Sequence, residues 1–73
     1  NLNNLRELHI GDNDINDIAI LSELSGLEQL GIYNTKVTDL SALEKLNNLN
    51  WVSVSNCDIK DMSPIYHVYW VNW

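Results

Sequence analysis

The chain has 73 residues, 45 % of them apolar, and a formal net charge of −6. That suits one small globular domain, which buries only about 60 % of the surface its unfolded chain exposes. The basic residues Arg6, Lys36, Lys45 and Lys60 are scattered rather than clustered, which argues against nucleic-acid or anionic-membrane binding. One cysteine, Cys57, excludes an internal disulfide, and no apolar run approaches the roughly 20 residues of a membrane helix. The N-terminus lacks the profile of a signal peptide, so secretion would imply an earlier cleavage.

Read in chain order, the first unit begins at Leu5 as LRELHIGDNDI. The oxygen-rich stretch GDNDINDI inside it, residues 11–18, looks locally like a calcium loop. It recurs, however, as YNTKVTDL at 33–40 and SNCDIKDM at 55–62, each 22 residues further on. Asp14 becomes Lys36 and Asp12 becomes Asn34, whereas Ile15, Val37 and Ile59 stay apolar. A structural repeat is therefore expected, and no metal or cofactor.

Units start near 5, 27 and 49, with a fourth begun at Val71. Apolar columns follow: Leu5, Leu27, Leu49 and Val71 at the first position; Leu8, Leu30 and Val52 at the fourth; Ile10, Ile32 and Val54 at the sixth; Leu2, Leu24, Leu46 and Val68 at the twentieth. Positions three to seven alternate apolar and variable residues, the period of a strand with one buried face, predicting strands over 7–11, 29–33 and 51–55. The ninth position, Asn13, Thr35 and Cys57, turns inward to bond the backbone of the departing loop. Asp17, Asp39 and Asp61 stand where helix N-caps would, and Pro64 fits a first helical turn.

Written out, LRELHIGDNDI, LEQLGIYNTKV and LNWVSVSNCDI resemble the leucine-rich repeat consensus L-x-x-L-x-L-x-x-N-x-I, and the 22-residue period resembles the internalin-type subclass of bacterial surface proteins. The resemblance covers the whole of residues 1–73 and departs at Thr35, at Cys57 and in the last eight residues. It implies an α/β solenoid: a parallel sheet on the concave face and short 3-10 or α turns on the convex face. It also implies recognition of a protein partner, and only by resemblance a secreted or cell-surface location. Asn1 falls at position nineteen and Trp73 at position three, so a segment cut from a longer solenoid is expected. The tail aromatics Tyr66, Tyr69 and Trp70, beside His67, predict a cap or adjoining domain over the last repeat.

In a solenoid, function is sought at variable positions of one face. Glu7, His9, Gln29, Tyr33, Trp51, Ser53 and Trp73 are the candidate partner-binding residues on the concave sheet. Trp51 is expected to anchor the site, with Tyr33 and Trp73 within reach and Gly31 leaving a notch. His9 has Glu7 and Gly11 as strand-mates, neither of them a nucleophile, and Cys57 lies on another column; no catalysis is expected. Two other readings stay open: an assembly element stacking through unfinished ends, and glycan binding through Trp51 and Tyr33.

Overall fold

A computed structural model describes residues 4–73; Asn1 and Leu2, which the periodicity places at positions nineteen and twenty, lie outside the described residues. Four parallel strands, β1 (Glu7–His9), β2 (Gln29–Gly31), β3 (Trp51–Ser53) and β4 (Trp70–Asn72), form one sheet in chain order. Three 3-10 turns, Ala19–Glu23, Ser41–Leu43 and Ser63–Ile65, line the opposite side. This is the α/β solenoid that the resemblance implies.

Register confirms the spacing for the first three strands: Leu8 pairs with Leu30 and Leu30 with Val52. Their side chains point away from the exposed sheet face into the core, because alternate residues of a strand face opposite ways. Leu27, Leu30, Ile32, Val37, Leu43 and Val52 have no solvent exposure. The turns contribute Ile18, Leu21, Leu40 and Ile65, each nearly sealed, so every coil closes against its neighbours.

The last repeat departs from the predicted spacing. Val71 pairs with Val52 and Trp70 with Trp51, an offset of 19 residues, so Val71 belongs to the fourth column and not to the first. The cause is a missing turn. Earlier coils make two successive tight turns, Leu24 to Leu21 and Leu27 to Leu24, then Leu46 to Leu43 and Leu49 to Leu46. In the last coil Val68 bonds back to Ile65, and the strand then begins at once, with the Trp70 N–H donating to the Asn50 carbonyl. Val68 thus ends the turn and starts the strand approach, and three residues are saved.

The strands are three residues long rather than the five positions predicted. Beyond them backbone bonds between coils continue, the Asp12 N–H donating to the Tyr33 carbonyl, and at the eighth position Asp12, Asn34 and Asn56 turn left-handed with φ of 60°, 56° and 60°. Asparagine and aspartate tolerate that region better than other side-chain-bearing residues. Here their side chains also form a ladder, Asn56 Nδ2 donating to Asn34 Oδ1 and Asn34 Nδ2 to Asp12 Oδ1, both at 2.7 Å.

The ninth position bonds loop backbone as predicted, but it does not turn inward throughout: Asn13 is exposed, Thr35 buried and Cys57 between the two. The Asn13 amide donates to the Ile10 carbonyl and accepts the Ile15 N–H. Thr35 Oγ1 donates to the Ile32 carbonyl at 2.8 Å, and the half-buried Cys57 thiol reaches the same carbonyl at 3.0 Å. None of the buried side-chain polar atoms among the described residues is left without a partner.

On the convex side Asp17, Asp39 and Asp61 accept the backbone N–H two residues on, from Ala19, Ser41 and Ser63. They stand one residue before the N-caps, which are Ile18, Leu40 and Met62; a tight 3-10 turn brings its first free N–H back to that earlier carboxylate. The Ser41 N–H, and secondarily its hydroxyl, hold the Asp39 carboxyl below the ordinary aspartate value. A depressed folded pKa contributes stability that is present above the unfolded value and lost as pH falls through the folded one. Asp39→Asn keeps an acceptor for Ser41 but cannot titrate. Urea midpoints followed from about pH 5 to pH 2 should therefore fall less steeply in the variant than in the parent.

Candidate functional site

The exposed sheet face carries two rows of side chains. Glu7, Gln29, Trp51 and Trp70 stand side by side in one; His9, Gly31, Ser53 and Asn72 form the next. The rows hold a connected cluster. His9 Nε2 lies 2.9 Å from Glu7 Oε2, both side chains partly exposed, so a protonated Nε2 donates to the carboxylate. The His9 ring then leans on Trp51 two strands away, with centroids 5.9 Å apart and planes tilted by 54°.

Glycine makes this crossing possible. A Cβ at Gly31 would stand 2.8 Å from His9 Nδ1 and 3.0 Å from Tyr33 Cε2, so any side chain there would push both rings aside. At Gly11 a Cβ would collide with Tyr33 Cε1 and Cδ1. Tyr33 therefore lies over Gly11 and against Gly31. The notch expected at Gly31 exists in the backbone, but His9 and Tyr33 fill it.

Five of the seven candidate residues, Glu7, His9, Gln29, Tyr33 and Trp51, stand on this face with some exposure. Ser53 does not qualify: it is 3 % exposed, and its Oγ lies 3.5 Å from Asn72 Nδ2. Trp73, too, lies away from the place its 22-residue spacing predicts. The 19-residue offset puts it in the column of Ile10, Ile32 and Val54, beyond the end of β4. It is 74 % exposed at the end of the core, lining a cleft with Cys57, Ile59 and Met62 rather than joining Trp51. The concave partner of Trp51 is Trp70, 58 % exposed, and not a member of the tail cluster that a 22-residue spacing predicts for it. The order of residues carries this pairing: WVSV at 51–54 recurs as WVNW at 70–73, 19 residues on rather than 22.

His67 Nε2 lies 3.1 Å from the Leu46 carbonyl and so ties the third 3-10 turn to the coil before it. Among the described residues no three His, Cys, Asp or Glu side chains are placed to hold a metal ion. No helix among them is long and apolar enough to cross a membrane.

The sheet, the turns and the repeat spacing have counterparts in known proteins. A family model for leucine-rich repeats, two copies, matches residues 3–45. The crystal structure of internalin C2 from Listeria monocytogenes is similar at a TM-score of 0.81 and 35 % identity, over 86 % of this chain and 29 % of that one. This chain thus spans less than a third of that protein's length. No curated protein sequence matches it. With its parallel strands in register, its leucine columns and these two likenesses, the chain belongs to the leucine-rich repeat proteins, of the internalin type.

Proposed function

We propose that the chain is a non-catalytic recognition module that binds a protein partner through its concave sheet face, in the manner of an internalin-type adhesion or recognition protein at a bacterial surface. Leucine-rich repeat proteins of this type are interaction proteins, which supports the general reading. The observation that carries the choice of face is the Glu7–His9–Trp51 cluster. A tryptophan held against a histidine that is itself held by a carboxylate is a rigid aromatic anchor, the kind of group that dominates interface energetics. The convex side offers instead short turns whose aspartates are occupied by backbone N–H groups, with Ile20, 70 % exposed, as their isolated large apolar side chain among the described residues.

A photo-crosslinking residue placed at Gln29, exposed in the middle of the first row, is expected to join covalently to the bound partner. The same residue at Ser22, exposed on the first convex turn, is expected not to. Capture from Ser22 with none from Gln29 overturns the concave assignment.

A second surface has its own observation. Tyr66 is 79 % exposed, Tyr69 90 % and Trp73 74 %, all around the last coil. A cap, an adjoining domain or a stacked neighbour over these rings is the corresponding proposal, since soluble proteins rarely leave such a patch open. Light scattering at high concentration separates self-stacking, which raises the mass, from a cap or domain, which does not.

A further inference from the structure

We infer that the concave face recognises an arginine of its partner, flanked by apolar side chains, with the guanidinium at Glu7 and the side-chain stem along Trp51; the inference rests on the concave-face reading above. The chain carries a net charge of −6 and four basic residues, and none of the four lies in a strand. Arg6, just before β1, is already held by Glu28 at 2.8 Å, and Lys60 by Asp58 at 3.2 Å. The exposed rows therefore carry one acidic side chain, Glu7, and no lysine or arginine, with His9 standing beside that carboxylate.

That carboxylate is oriented but not satisfied. His9 engages Oε2, while Oε1 makes no hydrogen bond among the described residues and stays available to an incoming donor. Glu7 and Trp51 occupy the same row with Gln29 between them, so their backbones are two strand spacings apart, about 10 Å. An extended arginine lying across Gln29 bridges that interval. Its guanidinium can give Oε1 a charge-assisted hydrogen bond while its apolar stem lies along the indole. Trp70, next to Trp51 and 58 % exposed, gives the flanking apolar residue a surface to pack on.

The test uses the 15N-labelled 73-residue chain and two capped peptides of sequence Val-Arg-Val-Arg-Val, one with arginine and one with the neutral isostere citrulline at both Arg positions. The arginine peptide should shift the Trp51 and Trp70 indole signals and the Gln29 amide, and bind about fivefold or more tighter than the citrulline peptide. Glu7→Gln should remove most of that difference, and added salt should reduce it. Equal binding of both peptides on the concave face overturns the arginine assignment while leaving the concave reading intact. Shifts confined to the convex aspartates, or none with either peptide, also overturn it; crosslinking from Gln29 then decides the concave reading separately.

Discussion

Leu30→Ala is expected to remove about 2–5 kcal/mol of stability, the range for a buried leucine truncated in a packed core. Leu30 has no exposure, lies on the second of four strands and is flanked in register by Leu8 and Val52, so its loss opens a hole between two coils. Relaxation is limited because a solenoid coil is held by its immediate neighbours alone. A 73-residue chain has a total stability of about 4–11 kcal/mol at typical per-residue values, so the variant loses a large share of it. Urea denaturation followed by circular dichroism measures the effect. Leu8→Ala, in the same column at the partly exposed first strand, should cost clearly less. A Leu30→Ala cost below about 1 kcal/mol would mean that the column is not continuous.

Trp51→Ala should weaken partner binding by about 2 kcal/mol or more, roughly 30-fold, while changing stability by about 1 kcal/mol. The asymmetry follows from the ring's position. It is only half-buried, so folding depends on it modestly, yet it is held against His9 and stands beside Trp70 on the face proposed to meet the partner. Truncation also frees the His9 ring, so the loss includes the anchor and the order it imposes. Calorimetric titration of parent and variant against the partner gives the difference directly. Trp73→Ala serves as the contrast: lying beyond β4 at the end of the core, it should leave concave binding unchanged. Trp51→Ala binding within a few tenths of a kcal/mol of the parent would remove this residue from the site.

Glu7, His9, Gln29, Tyr33 and Trp51 were legible as face residues because a strand's alternation is a local property, printed in the order of side chains. Their mutual contacts were not. That His9 reaches Trp51 across an intervening strand depends on Gly31 having no side chain, which does not follow from spacing. Asp12, Asn34 and Asn56 were visible as a polar column, but not as a hydrogen-bonded ladder of left-handed residues.

The order of residues alone specifies the coil. Leucine columns 22 residues apart can be buried only by stacking, so period, parallel sheet and convex turns follow from hydrophobic burial and strand geometry. Tertiary structure decided the last repeat. There the chain drops one tight turn after Val68 and enters the sheet three residues early, which puts Trp70 beside Trp51 and carries Trp73 past the end of the strand. Val71 is apolar under either spacing, so hydrophobicity could not choose between them. The choice came from backbone pairing, because the Trp70 N–H meets the Asn50 carbonyl only in the shortened coil.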